Sequence, residues 1–138
     1  MPLPDAEVLL VNFVKDNGAL NALLSGRVAT RLPKEPTMPF MRVFRAAGTV
    51  DPGEAPLDQA LMQVDCFGAS GDTTPDYASA SAVARTFIEQ ATNFRGAVGS
   101  YGTILGMTVQ SGPRRIEEPA TGYSRYLVEM LLMSREGV

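Results

Sequence analysis

Apolar and polar residues alternate most regularly in the middle of the chain, over residues 57–68. Met62, Val64 and Cys66 fall on one side of an extended segment, whereas Gln63 and Asp65 fall on the other. A period of two residues predicts a β-strand. Because apolar residues fill most of one side and part of the other, the pattern indicates a central strand whose second face is partly covered.

A turn at residues 68–74 and then a long amphipathic helix are predicted after this strand. Thr74 is suited to cap the helix, Pro75 needs no hydrogen-bond partner in the first turn, and Asp76 favours its positive end. Apolar residues then recur at spacings of three and four, and Gly96 is predicted to end the helix. The apolar face consists of Tyr77, Ala80, Val83, Ala84, Phe87, Ile88, Ala91 and Phe94.

The N-terminal part of the chain predicts a first helix over residues 4–17 and a short helical segment at residues 19–24. Gly18 is predicted to end the first helix. Val8 and Val11 widen the apolar surface of this helix beyond one stripe. The helix is therefore expected to make contacts on two sides, either with the sheet and the second main helix or with a neighbouring subunit.

Two strands and a long loop are predicted before the central strand. Residues 27–32 alternate as a short strand, and three prolines then prevent regular pairing. Residues 40–46 alternate more clearly and form the second strand. The loop at residues 48–56 holds two glycines, two prolines and the acids Asp51 and Glu54. A loop longer than the turn requires often contacts a partner.

Two more strands are predicted in the C-terminal third of the chain. Residues 103–110 alternate with one apolar face, and the Ser-Gly-Pro sequence at residues 111–113 is predicted to bend the chain away. Two bases and two acids follow in a polar connection at residues 114–123, most simply a solvated hairpin end. Residues 125–134 are apolar on nearly both faces, which indicates a strand in the centre of the sheet.

Together these elements predict a single α+β domain over residues 1–138. The order is α-(α)-β-β-β-α-β-β, with a mostly antiparallel β-sheet of four or five strands and two main helices packed on one face. The other face of the sheet then carries the remaining apolar residues. A lone domain would expose them, so we expect the protein to be an oligomer.

The composition is that of an ordinary globular protein. With 138 residues, of which 45% are hydrophobic and 20% charged, the chain fits one domain with one core. No apolar run approaches the roughly 20 residues that span a bilayer, so no membrane association is expected. The N-terminus lacks the basic region of a signal peptide, and the protein is expected to stay in the cytosol where it is made.

The residue types in the chain exclude most hydrolase chemistry. There is no histidine, so Ser–His pairs, Cys–His pairs and histidine-containing metal sites are impossible. The single cysteine, Cys66, is expected to be a buried small hydrophobe in its strand. Gly96, Gly99 and Gly102 punctuate a turn, but no lysine follows as a phosphate loop requires. We therefore predict no enzymatic activity, no catalytic residue and no cofactor.

Acidic residues are concentrated in the centre of the chain. The net charge is −3, and between Arg45 and Arg85 there are six acids and no base. The simplest interpretation is a set of solvated acids in loops and caps. A pI near 4.9 also argues against a nucleic-acid-binding module. A small metal-dependent enzyme with Asp65, Asp72 and Asp76 as ligands is a further alternative, but their spacing is not that of a calcium loop.

In its order of elements the chain resembles the tail terminator, or tail-completion, proteins of long-tailed bacteriophages (siphoviruses), especially phages of actinobacteria. The likeness covers nearly the whole chain, and the order of the elements carries it more than any single motif does. The segments that contribute to it are Pro4-Asp5-Ala6-Glu7, Phe40-Met41-Arg42-Val43, Leu61-Met62-Gln63-Val64-Asp65-Cys66-Phe67-Gly68, Arg114-Arg115-Ile116-Glu117-Glu118-Pro119 and Thr121-Gly122-Tyr123-Ser124-Arg125-Tyr126.

This resemblance implies a structural protein at the head-proximal end of the virion tail, made in the host cytoplasm. Six copies are expected to form a ring on the last ring of tail-tube subunits, to stop tube growth and to present a surface to the head. The implied partners are other copies of the chain, the major tail-tube protein, the tape-measure protein, and a head-closure or head-tail connector protein. DNA is expected to pass through the lumen without specific binding. Other head-to-tail connector proteins share this order of elements, so the alternative is that the chain is a connector protein at the head.

The two long connections between strands supply the candidate interface residues. Residues 48–56 and 114–122 are predicted to project where stacked rings meet, where their charges fix the register. Asp51 and Glu54 have a second interpretation, as a negative channel wall that DNA passes without sticking. The ring itself is predicted to bury the second sheet face or the first helix between subunits. The candidate interface residues are Asp51, Glu54, Arg114, Arg115, Glu117, Glu118 and Arg125.

Overall fold

The computed structural model describes residues 4–51, 57–68, 77–116 and 123–136. The helices in these ranges are α1 (Ala6–Asp16), α2 (Gly18–Leu24) and α3 (Tyr77–Thr92). The strands are β1 (Val28–Ala29), β2 (Phe40–Asp51), β3 (Leu57–Phe67), β4 (Gly96–Val98), β5 (Gly102–Ile116) and β6 (Arg125–Arg135). The predicted helix start at Thr74, Pro75 and Asp76 lies outside the described residues.

The strands form one sheet in the order β1-β2-β3-β6-β5-β4. β1 pairs with β2 in parallel, and all other neighbours are antiparallel. β3 and β6 lie in the centre, which confirms both predictions of a central strand. The mostly antiparallel sheet with helices packed on it confirms the predicted α+β class.

One strand and one helix end differ from the prediction. The sheet has six strands in the described ranges because β4, which starts at Gly96, pairs with β5 in a segment predicted as a turn. Gly96 therefore does not end α3, whose last residue is Thr92. The glycine-rich composition that suggests a turn also permits the φ of 142° at Gly96, which leads the chain directly into β4.

Side-chain caps fix the ends of the first two helices. The carboxylate of Asp5 accepts hydrogen bonds from the backbone N–H groups of Glu7 (3.0 Å) and Val8 (3.2 Å), so α1 begins where predicted. Asn17 closes α1 and at the same time caps α2, because its side chain accepts from the N–H of Leu20. Gly18 is thus the first residue of α2, and the prediction that it ends α1 is wrong by one position.

Two strands run further than the hydrophobic pattern predicts. β2 continues to Asp51 because Gly48, at a φ of 132°, lies so close to β3 that a Cβ there would collide with the carbonyl oxygen of Gln59. β5 continues to Ile116, although residues 111–113 were expected to bend the chain away. Three register shifts against β6 accommodate the extra residues within the strand. The predicted strand at residues 27–32, in contrast, is reduced to the two residues of β1.

A single apolar core, as far as the described residues go, lies between the helices and one face of the sheet. The alternation of β2, β3, β5 and β6 places most of their buried residues on that face, and the alanines of α3 allow the helix to lie close to it. The strands contribute Met41, Val43, Ala60, Met62, Val64, Cys66, Ile104, Met107, Val128, Met130 and Leu132. The helices contribute mainly Leu9, Leu10, Phe13, Val14, Leu20, Leu24, Ala80, Val83, Ala84, Phe87 and Ala91.

We call the other side of β2, β3, β6 and β5 the open face. By strand register it carries Phe40, Arg42, Phe44, Ala47, Thr49, Leu57, Gln59, Leu61, Gln63, Asp65, Phe67, Thr103, Gly106, Thr108, Ser111, Arg114, Ile116, Arg125, Leu127, Glu129, Leu131, Met133 and Arg135. Several of these are apolar, as expected for the second sheet face. Within the described ranges, no helix has both the length and the apolar character needed to cross a bilayer.

Candidate interaction site

The antiparallel order places the two long connections at opposite ends of the sheet. Asp51 pairs with Leu57 where β2 leads to β3, and Ile116 pairs with Arg125 where β5 leads to β6. The eleven residues of β3 separate these ends by about 36 Å. A molecule built in this way is able to contact one neighbour at each end.

The predicted interface residues are therefore divided between the two ends. Asp51 lies at the β2–β3 end, and the three candidate arginines lie at the β5–β6 end. Glu54, Glu117 and Glu118 lie outside the described residues. The candidates thus do not form one continuous site.

The two adjacent arginines of β5 lie on opposite faces of the sheet. Arg115 is on the helix side, where its guanidinium stacks 4.1 Å from the ring centroid of Tyr77 in α3. The ring of Tyr77 in turn meets Tyr126 of β6 edge-on, with centroids 6.4 Å apart. Arg114 is on the open face, 59% exposed and 3.9 Å from a carboxylate oxygen of Glu129. Arg115 therefore holds α3 against the sheet, and Arg114 is directed towards solvent.

The third candidate, Arg125, belongs to a buried ion cluster on the open face. Its Nε and Nη2 donate to Oδ1 of Asp65 at 3.0 and 2.8 Å, while Nε and Nη2 of Arg42 donate to Oδ2 at 2.9 and 2.6 Å. Asp65 is completely buried, and both arginines are mostly covered. A buried carboxylate is tolerated when charged partners satisfy its oxygens in this way. We call these three residues the Arg-Asp-Arg cluster.

Aromatic rings cover one side of the Arg-Asp-Arg cluster. The guanidinium of Arg42 lies 5.4 Å from the ring centroid of Phe67, which packs edge-on against Tyr123 at 6.5 Å. Water is thereby kept from Asp65, and the ion pairs are stronger than exposed ones.

Asp65 has no role as a metal ligand in this arrangement, since two arginines beside it repel a cation. The described ranges contain no group of three or more side chains suited to hold a metal ion. The other two residues of the metal alternative, Asp72 and Asp76, lie outside these ranges. Sequence reasoning missed Arg42, because its partnership with Asp65 depends on the register between β2 and β3.

A group of partly exposed apolar side chains lies in the middle of the open face. Leu61 and Leu131 are direct cross-strand neighbours, and Gln59, Gln63 and Thr108 surround them. This group, which we call the apolar patch, comprises Phe44, Leu57, Leu61, Leu131 and Met133. It is the part of the open face best suited to exclude water in a contact with another molecule.

Neither a family model nor a curated protein matches this sequence. The fold, however, occurs in a solved virion. The chain is similar to a chain in the structure titled "Virion of native gene transfer agent (GTA) particle", with a TM-score of 0.64. The similarity covers 94% of this chain and 95% of that chain at 13% sequence identity. The gene transfer agent chain thus shares the architecture over nearly its whole length, and at this identity the likeness concerns the fold.

An ion pair near the β2–β3 end lies on the helix side, away from the open face. Nη1 of Arg45 donates to Oδ2 of the buried Asp58 at 2.6 Å, and this hydrogen bond raises the pKa of Arg45. The backbone N–H of Arg45 donates to a carboxylate oxygen of Glu7 at 3.0 Å. Glu7 therefore fastens α1 to β2 and occupies a donor on the outer edge of that strand.

Cys66 is buried on the helix side of β3, as predicted. Burial raises the pKa of its thiol well above the ordinary value, and the neighbouring carboxylate of Asp65 adds to this effect. The thiol is therefore neutral and contributes to the core as a small apolar group.

Proposed function

We propose that this chain is a structural protein of a phage-like virion, and that it closes the tail tube as a six-membered ring at the head-proximal end. The observation that supports the virion assignment is the agreement in fold with a chain of a gene transfer agent virion, over 94% of this chain and 95% of that chain. The station at the tail end is supported by the sequence resemblance to tail terminators.

The division of the sheet into two ends supports a role between two different neighbours. A terminator has to bind the tail tube on one side and a head-closure or connector protein on the other. The connection at the β2–β3 end carries two acids, Asp51 and Glu54, whereas the connection at the β5–β6 end carries two bases and two acids. Ends of different charge favour different partners and a fixed orientation.

The same reasoning gives the remaining partners. The tape-measure protein lies inside the tube during assembly, and DNA later passes through the lumen of the ring. A chain with a net charge of −3 has little affinity for the DNA backbone, so DNA passes without specific binding. The role requires binding surfaces and no catalytic residue.

Growth of tail tubes tests the proposal. Purified tube protein is polymerised with and without this chain, and the length distribution is measured by negative-stain electron microscopy. We expect the chain to cap tube ends and to stop further growth, whereas tubes without it become over-long. Equal length distributions in both samples would contradict a terminator role.

A phage that lacks the protein separates the terminator from the alternative station at the head. Over-long tails are expected for a missing terminator. Finished tails of normal length beside unjoined heads would instead assign the chain to the head connector.

The β5–β6 end is tested with Arg114→Glu, because Arg114 is exposed whereas Arg115 stabilises the fold. Arg85→Glu, an exposed charge reversal on α3, is the matched control. Tails assembled with Arg114→Glu are expected to join heads in lower yield than tails with Arg85→Glu, at the same oligomeric mass. Equal yields of joined heads would show that Arg114 is not part of the docking surface.

A further inference from the structure

We propose that copies of this chain associate head to tail, with the open face of one copy docked on the outer flank of α1 in the next. The α1 flank is defined by Glu7, Val8, Val11 and Lys15. This inference rests on the ring in the proposed function and names the two surfaces that would join its subunits. It commits to a second copy of the chain as the occupant of the open face.

The size and composition of the open face suit a subunit contact. Four strands about 4.8 Å apart and about 11 residues long span a flat area on the order of 600 Å², somewhat less than the roughly 800 Å² that each partner contributes to a standard interface. Phe40, Asp65, Phe67 and Leu127 are already buried within the chain, so the contact area lies mainly on and around the apolar patch. The apolar patch lies in its middle, and the polar side chains of Gln59, Gln63 and Thr108 surround it. An apolar centre with a polar rim is the usual anatomy of such interfaces.

The strand edges are less suited to association. On β2, the N–H of Arg45 is already bonded to Glu7, and the register shifts just beyond it. On β5, three register shifts distort the edge, and Pro113 lacks an N–H. Bulges, prolines and inward charges are the features that keep sheet edges from pairing with other chains. They leave the open face as the larger accessible surface of the sheet.

Charge favours a head-to-tail contact over a face-to-face one. The open face carries Arg42, Arg114, Arg125 and Arg135 against the acids Asp65 and Glu129. These side chains have a net charge of +2, whereas the whole chain has −3, so the remaining residues together carry −5. Two open faces would bring like charges together, whereas an open face and another surface of the chain attract.

The α1 flank has the matching properties. Among the described residues, three large apolar side chains are more than a third exposed: Val8 (39%), Val50 (43%) and Tyr101 (48%). Of these, Val8 lines a groove of about 350 Å³ between α1 and β1, which is able to accept apolar side chains. Glu7 and Lys15 place one charge of each sign on the flank itself, and α1 with its cap has a net charge of −2, opposite in sign to the open face.

The two surfaces lie on different sides of the molecule. α1 packs on the helix side of the sheet, and the apolar patch lies on the other side. A contact between two different surfaces is heterologous, and it repeats from copy to copy until the rotation closes a ring. When two copies associate, one copy still has a free open face and the other still has a free α1 flank.

A complementation experiment tests the contact. Leu131→Glu places a charge in the apolar patch, and Val8→Glu places one on the α1 flank. Thr108→Glu, at an exposed position beside Leu131, replaces the first variant if circular dichroism shows that Leu131→Glu is unfolded. Arg85→Glu controls for surface charge, and masses are measured by light scattering across concentration.

We expect the wild type and Arg85→Glu to form multimers and each interface variant alone to stay at the 14.8 kDa of one chain. An equimolar mixture of the two interface variants is expected to give twice that mass, because each copy retains the surface that the other lacks. Dimers of Val8→Glu alone would indicate a face-to-face contact and overturn the proposal. A monomeric wild type, or no association in the mixture, would overturn it as well.

The tube-growth assay distinguishes failure of this inference from failure of the proposed function. A wild type that stops tube growth but stays monomeric in solution retains the function and loses this contact. A wild type that associates through the two surfaces but leaves tube length unchanged retains the contact and loses the function.

Discussion

Nη2 of Arg125 donates a hydrogen bond of 2.8 Å to Oδ1 of Asp65, a residue 60 positions earlier in the chain. Arg125 is the direct cross-strand partner of Phe67, so its side chain reaches diagonally across the β3–β6 ladder. Arg42 reaches the same carboxylate from β2. One buried aspartate thus ties together three neighbouring strands at the β5–β6 end of the sheet.

Removing that carboxylate is expected to destabilise the fold strongly. Asp65→Ala leaves the guanidinium groups of Arg42 and Arg125 partly buried without a partner, which costs about 3–5 kcal/mol in the free energy of unfolding. Urea denaturation followed by circular dichroism measures this change. The control is Asp58→Asn on the helix side, which keeps a polar group beside Arg45 and is expected to cost less. A loss below about 1 kcal/mol for Asp65→Ala would contradict the role of the Arg-Asp-Arg cluster.

The adjacent arginines of β5 are expected to differ in their effect on stability. Arg115→Ala removes the stacking on Tyr77 and is expected to cost about 0.5–1 kcal/mol. Arg114→Ala removes an exposed contact of 3.9 Å and is expected to cost no more than a few tenths of a kcal/mol. Thermal unfolding of both variants measures the difference. Equal effects would show that the stacking on Tyr77 contributes nothing.

Gly48 is expected to be intolerant of any side chain. At its φ of 132°, Gly48→Ala creates backbone strain and a collision with the carbonyl oxygen of Gln59, for a loss of at least about 2 kcal/mol. Gly106→Ala in β5 is the matched control, because an added Cβ meets no atom within 4 Å there. Urea denaturation of the two variants tests the difference, and a stable Gly48→Ala protein would contradict the close approach of β2 and β3.

Cys66 is expected to make stability depend on pH in the alkaline range. Its thiol pKa is raised in the folded state, so the unfolded chain loses this proton first as the pH rises. The contribution is complete below the ordinary pKa near 9.0 and decreases above it by about 1.4 kcal/mol per pH unit. Unfolding free energies of the wild type and Cys66→Ala at pH 8 to 10 isolate this thiol, since other groups titrate in both proteins. Parallel pH profiles would contradict a buried neutral thiol.

Much of the fold could be predicted from local sequence patterns. The period of two in β3 and β6 and the helical spacing of α3 depend on neighbours within a few residues, and the structure confirms them. The errors fall at glycines and prolines. Gly48, Gly96 and Pro113 suggested loops or turns, but in the sheet they provide a close approach, a strand start and a bulge. Their local preferences are compatible with either outcome, and strand pairing decides between them.

The candidate site was harder to predict from the sequence, and for a different reason. Arg114, Arg115 and Arg125 were all predicted as interface residues. The structure gives Arg115 a partner in α3, Arg125 a partner in β3, and Arg114 an exposed position. Arg42, the second partner of Asp65, was not predicted at all.

By itself, the sequence determined the α+β class, the central strands, the helix faces, the burial of Cys66 and the absence of histidine chemistry. These follow from composition and from periodicities that act over one or two turns of backbone. Only the tertiary structure decided the strand register, the separation of the two connections to opposite ends, and the Arg-Asp-Arg cluster. Such contacts join side chains dozens of residues apart, and a shift of one residue in strand pairing would move each of them to the other face of the sheet.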